Sequence, residues 1–228
     1  MKYHVEFDID FKRNPYKGFY VAIEGIDGAG KTVQVAALQR YFEKKGKVVV
    51  VTSEPRSDSL VGKIIRQVLQ SKIKIPPPAF QYLYSADRVM NQEEVVKPSL
   101  EKGAVVLSHR SFWSVIPYGV MDKGLSQYDE KNAQLLAVTQ GFLSMYHQFI
   151  KPDIIFYLDI SVDVAMSRLS NMDKEKEMYE KKDKLTQILR GYQWQLQEFE
   201  NEFVVVDGER NQDEVTMEII TKIENFTR

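Results

Sequence analysis

Residues 25–32 read GIDGAGKT, which satisfies the G-x-x-x-x-G-K-[ST] pattern of a phosphate-binding loop. Glycines allow a turn tight enough for successive backbone N–H groups to face one point. A helix N-terminus behind that turn adds partial positive charge. The lysine supplies an ammonium and the threonine a hydroxyl for a divalent cation. Gly25, Ile26, Asp27, Gly28, Ala29, Gly30, Lys31 and Thr32 therefore form a candidate ATP site, with Thr32 as the magnesium ligand. A polyphosphate tail is the ligand this chemistry selects.

Such a loop works only where a strand feeds it and a helix leaves it. Residues 19–23 (FYVAI) form an apolar run of strand length. Residues 33–45 place Val35, Leu38 and Phe42 at helical spacing, so both flanks are predicted. The same alternation continues along the chain. Strands are expected at 48–52, 104–107, 153–159 and 203–206, and helices at 60–70, 79–102, 187–198 and the C-terminus. Pro98 is expected to kink or break the long third helix. Ser126 with Asp129 reads as a helix start, followed by a stripe of Leu135, Val138, Phe142, Met145 and Phe149. Strand–helix repetition predicts an α/β fold: a parallel five-stranded sheet with helices on both faces, a three-layer sandwich. Residues 1–18 form an N-terminal extension, an edge strand or a flexible arm, ahead of one domain over 19–228.

Composition narrows the function. With 31 basic and 32 acidic residues the formal net charge is −1, which argues against a chain that coats nucleic acid or anionic membrane. There are no cysteines, so disulfides, thiolate nucleophiles and cysteine zinc sites are excluded. No apolar run has the length of a membrane span and residues 1–18 are not signal-like, so a cytoplasmic location is expected.

A phosphate loop alone does not choose a reaction, because ATPases, GTPases and small-molecule kinases share it. The chain has no N-K-x-D guanine reader and no strand ending in Asp-Glu. Other strings are more specific. Residues 19–31 fit F-x-x-x-E-G-x-[DE]-G-[AS]-G-K. Ser53-Glu54-Pro55 closes the second strand, residues 82–88 read YLYSADR, and residues 109–118 read HRSFWSVIPY. Residues 152–159 (PDIIFYLD) and 189–192 (LRGY) follow in order. From about Phe19 to the C-terminus the chain resembles the thymidylate kinase family, a branch of the P-loop nucleoside monophosphate kinases.

The resemblance implies transfer of the γ-phosphoryl group of ATP to a deoxynucleoside monophosphate, with dTMP foremost, giving dTDP and ADP with the help of Mg²⁺. It implies a catalytic set of Lys31, Arg110 and Asp27, with Lys31 between the β- and γ-phosphates and Asp27 on the acceptor's 3′-hydroxyl. The implied acceptor set adds Glu54, Pro55, Tyr84 (stacked on the base), Arg88, Arg110 (on the phosphate), Ser114, Tyr118 (beside the sugar 2′ position) and Tyr192. It also implies a short mobile lid over residues 171–184, adenine contacts from residues 207–210, and a homodimer formed through helices such as the 135–149 stripe.

Three features depart from the family pattern. His109 stands where the family has aspartate, with Glu24 or Asp27 as possible replacements. The lid offers Lys174, Lys176, Lys181 and Lys182 rather than arginine, with Arg168 just ahead of it. Gly119 and Val115 replace polar readers of the base. Two alternatives stay open: a deoxynucleoside kinase, or a catalytically weak nucleotide-binding regulator of the same fold.

Overall fold

The computed structural model describes residues 10–122, 139–141, 143–171 and 177–226. Five strands, β1 (Phe19–Glu24), β2 (Val49–Ser53), β3 (Val105–His109), β4 (Ile154–Asp159) and β5 (Val204–Asp207), form one sheet in the order β2-β3-β1-β4-β5. Every neighbouring pair is parallel. A parallel sheet is covered on both faces, which is why its central strands read as continuous apolar runs. In β1, Tyr20, Val21, Ala22 and Ile23 are at most 1% exposed.

The helices expected at 33–45, 60–70, 79–102 and the C-terminus are present within about two residues of those limits, and the one expected at 187–198 begins five residues earlier. The described helices are α1 (Lys31–Lys44), α2 (Leu60–Leu69), α3 (Pro77–Asn91), α4 (Lys97–Glu101), α5 (Val115–Asp122), α6 (Val162–Ser170), α7 (Lys182–Glu198) and α8 (Gln212–Glu224). Pro98 does not break the third helix. A π-helical turn, Gln92–Val96, joins α3 directly to α4. The wider turn accommodates a proline ring that would collide with the carbonyl four residues back in a regular helix. Val96 and Leu100 then lie against Tyr20 and Val106, partners in the β1–β3 register, and complete a small apolar cluster on that face of the sheet.

The 135–149 stripe differs from expectation. Ser126, Asp129, Leu135, Val138 and Phe142 lie outside the described residues. Of the remainder, Phe149 is buried but Met145 is 42% exposed, while Leu143 and Tyr146 point inward. The buried face here runs through 143, 146 and 149, spaced by three residues, because the chain forms tight turns rather than a regular helix over 144–148.

Residues 10–18 pack on the body. Lys12 bridges Ile150 in parallel, and Lys151 N–H donates to the Lys12 carbonyl at 3.0 Å. The Asn14 amide donates to Gly18 O at 2.9 Å and to Asp153 Oδ2 at 2.8 Å. The same Asp153 oxygen receives Tyr20 N–H at 2.7 Å, so one carboxylate ties this segment to the start of β1. No described helix is long and apolar enough to cross a membrane.

Candidate active site

The loop between β1 and α1 is built as its residues require. Gly28 and Gly30 adopt φ of +86° and +95°, left-handed values that side chains with a Cβ disfavour. Gly30 caps α1 with no side-chain hydrogen bond, which leaves first-turn N–H groups for a ligand. Lys31 is 3% exposed, and its ammonium donates back to the carbonyls of Gly25 (3.1 Å) and Ile26 (2.7 Å). Burial, then the positive charge of Arg110, pushes the Lys31 pKa down to about 7.

A cavity of about 860 Å³ opens over this loop. Asp27, Gly28, Ala29, Gly30, Lys31 and Thr32 form its floor, and Glu54, Pro55, Tyr84, Arg88, Arg110, Ser114 and Tyr118 line it too. Gly25, Ile26 and Tyr192 are not among its walls. Gly25 and Ile26 present carbonyls to Lys31, and Tyr192 stands one layer behind Arg110.

Arg110 ends β3 at φ +74°, a conformation that costs a non-glycine residue roughly 1–2 kcal/mol and persists where the surroundings enforce it. Both terminal nitrogens of its guanidinium carry hydrogen bonds. Nη1 donates to Gly25 O (3.0 Å) and Tyr192 OH (2.9 Å), and Nη2 to Asp27 Oδ1 and Tyr118 OH (both 2.6 Å). Glu24 lies beneath, completely buried. It accepts from Ser111 N–H (2.7 Å), Ser111 Oγ, Ser114 Oγ and Tyr192 OH (each 2.8 Å). With four donors satisfied, Glu24 is an anchor for the 110–114 turn and has no oxygen to spare for a metal. Burial alone would raise the Asp27 pKa, but Arg110 and Lys31 hold it well below the usual carboxylate range. Of the two carboxylates that could replace the one absent at His109, only Asp27 faces the cavity.

His109 lines the cavity as a neutral imidazole. Burial, reinforced by the charges of Lys31 and Arg110, pushes its pKa down to about 3. Arg88 is held by Glu54 (Nε–Oε2 3.0 Å) and by Tyr146 OH (3.1 Å), with its guanidinium 5.4 Å from the ring centres of both Tyr84 and Tyr146. Burial pushes the Glu54 pKa up to about 7 against the pull of Arg88.

The sheet order sorts these walls. Residues after β2 and β3 (Glu54, Arg110, Tyr118) lie to one side of β1, and residues after β4 and β5 (Arg168, Gly208, Arg210) to the other. The phosphate loop sits between two half-sites. Arg168 donates to Gly208 O at 2.9 Å, and both line the cavity.

A family model described as thymidylate kinase matches residues 23–219. The chain belongs to the thymidylate kinase family. It is 32% identical to a probable thymidylate kinase of Thermococcus kodakarensis over 91% of this chain and 98% of that protein. Thymidylate kinases of Fervidobacterium nodosum and Thermoanaerobacter sp. are 33% and 31% identical, covering 88% and 92% of this chain and 96% and 99% of their own.

Against the thymidylate kinase pattern, the 171–184 segment holds the main surprises. Lys174 and Lys176 lie outside the described residues. Lys181 and Lys182 are exposed and absent from the cavity wall, and Lys182 pairs with Asp163 at 2.7 Å. Among the described residues, Arg168 is the cation next to this segment that lines the cavity. Although the segment reads as almost free of apolar anchors, Tyr179 is 3% exposed, with its ring 5.2 Å from Tyr118, and Met178 N–H donates to Leu69 O at 2.9 Å. Helix α7 already begins at Lys182, inside the expected lid.

Sequence reasoning missed Arg56, which lines the cavity and is braced by Asp58 (2.9 Å) and Glu94 (2.6 Å), though its place after Glu54-Pro55 was a usable signal. It also missed Tyr146, whose contact with Arg88 spans 58 residues and leaves no local trace.

Proposed function

We propose that this protein transfers the γ-phosphoryl group of ATP to the phosphate of a deoxynucleoside monophosphate, with dTMP as the physiological acceptor, in the cytoplasm. One observation carries the reading: a phosphate loop flanked, across β1, by a half-site in which two buried arginines and an aromatic ring face a shared cavity. A hydrolase needs an anion nest and a water. A second, cation-rich half-site is what a phosphorylated acceptor requires.

In this reading the N–H groups at the α1 N-terminus and Lys31 bind and orient the donor phosphates. The loop carrying Gly208 and Arg210, with Arg168, borders the adenine. Arg110 presents its fork to the acceptor phosphate, Tyr84 stacks on the base, and Arg88, which can only donate, suits a base carbonyl. Asp27 takes the sugar 3′-hydroxyl and Tyr118 closes the 2′ side. The acceptor phosphate is its own nucleophile, so no side chain has to remove a proton. Thr32 and Asp27 offer oxygen ligands at the loop, which fits magnesium, an ion that takes few protein ligands and completes its shell with phosphates and water. When bound, the ion would neutralise charge on the transferring group. Residues 171–184 act as the lid that excludes water. The unit that does this is residues 19–228. Pairing of two copies through the 135–149 segment belongs to the same proposal, and sedimentation checks it.

The experiment is a coupled assay of ATP and Mg²⁺ with dTMP, dUMP, dCMP, UMP and thymidine. Diphosphate formation fastest with dTMP supports the reading; turnover of thymidine alone would replace it with a nucleoside kinase. Arg110→Ala is expected to lower kcat/KM for the acceptor by about 10²-fold or more, the scale for losing a preorganised charge-bearing donor.

A further inference from the structure

Residues 10–18 precede the family match at residue 23, and no function assigned above uses them. They are nevertheless pinned at three points, by the Lys12–Ile150 bridge, by the Asn14–Asp153 hydrogen bond and by Gly18 N–H donating to Leu100 O at 3.1 Å. Between chain and body they hold one aromatic side chain in place. The Phe11 ring lies 5.6 Å from Phe112 at an interplanar angle of 22° and 5.3 Å from Trp113.

Those two residues occupy the turn that begins at Arg110. Phe112 and Trp113 are 1% and 0% exposed, and Ser111 and Ser114 on either side of them grip Glu24. Phe112 also touches Tyr146 at 5.9 Å, and Tyr146 OH receives Arg88. A chain of direct contacts thus runs from Phe11 through Phe112 to both acceptor-side arginines. The contacts meet the loop at 25–32 through Arg110, at Gly25 O and Asp27 Oδ1, and do not extend to the Arg168–Gly208 side.

We propose that the 10–18 segment is a positioning strap for the acceptor half-site, with Phe11 as its positioning residue. The inference rests on the reading that Arg110 and Arg88 serve the acceptor. Phe11 touches no substrate. It fixes the aromatic pair that sets the turn, and the turn holds Arg110 in its left-handed conformation.

The test is full-length Phe11→Ala, with Phe11→Leu as graded rescue, assayed well below its melting temperature. Acceptor KM is expected to rise about fivefold, the factor to which loss of one aromatic stack converts. ATP KM should stay within about twofold, and Phe11→Leu should recover part of the change. Asn14→Ala, which unpins the strap without touching the rings, should reproduce the acceptor-specific effect if Phe11→Ala does not fold. A fall in kcat with both KM values unchanged, equal changes for both substrates, or no change in a folded variant would each overturn the strap. Failure of the wild-type chain to use any nucleoside monophosphate overturns the kinase reading instead, a result the variants do not affect.

Discussion

Glu24→Gln probes the least replaceable contact in the site. The carboxylate is wholly buried and takes two donors on each oxygen, one of them the backbone N–H of Ser111. A glutamine must aim its carbonyl at Ser111, because that N–H cannot reverse. Its NH₂ then faces Ser114 Oγ and Tyr192 OH, which have to turn and accept. Hydrogen bonds to a charged group are worth about 1 kcal/mol more than neutral ones, so four of them put about 4 kcal/mol at stake. Rotation of the two hydroxyls recovers part, leaving a loss of about 3 kcal/mol. With a urea slope of about 3 kcal/mol per molar, the unfolding midpoint of the ligand-free chain should fall by about 1 M. Trp113 and Trp194, 0% and 4% exposed, make fluorescence a direct reporter. Arg110 loses one of its two anionic neighbours in the same step, Asp27 remaining, so acceptor KM should rise with it. A midpoint shift below about 0.3 M would refute the claim that the charge, rather than shape, holds the turn.

The remaining predictions concern the phosphate loop. Since burial and Arg110 push the Lys31 pKa down to about 7, the free site is mostly deprotonated at pH 8, and an arriving polyphosphate restores its proton. ATP binding should therefore take up protons above pH 7 and weaken as pH rises; calorimetry in buffers of different ionisation enthalpy measures this, and zero uptake at pH 8 contradicts it. The stability sign is separate: the folded pKa lies below the usual lysine value, so this residue's share of stability grows as pH rises from about 7 toward about 10. Gly28→Ala forces a Cβ to 2.8 Å from Ala165 O at a left-handed φ, so the loop must shift. ATP affinity should fall about tenfold or more while the melting temperature drops by only a few degrees. In His109→Asp an anion replaces a neutral ring beside Lys31 and Arg110, so the pH at which ATP affinity declines should move upward; an unmoved profile would show that the two side chains are uncoupled.

The framework was readable because its signals are local. All five strands are apolar runs whose ends fall within two residues of the expected limits. The GIDGAGKT string dictated a turn in which Gly28 and Gly30 are left-handed. Side chains whose burial depends on distant partners were not readable. Tyr179 sits in a charge-dense stretch, yet it joins the buried core and meets the Tyr118 ring, a partner about sixty residues away. Met145 fits a helical stripe on paper, but turns over 144–148 put Tyr146 inside and Met145 out. Pro98 announces a disturbance without saying which kind, and a π turn resolved it with the helix unbroken. Phe11 was equally mute, since its value depends on two rings about a hundred positions later.

Asp27 has one oxygen shared between two rival cations, Arg110 at 2.6 Å and Lys31 at 3.6 Å. If donor and acceptor bind as proposed, whichever docks first draws off one claimant and leaves the aspartate to the other. The two substrates consequently negotiate through a common counter-ion, and neither has a dissociation constant independent of its companion. By reciprocity, the factor by which donor alters acceptor must equal the factor by which acceptor alters donor.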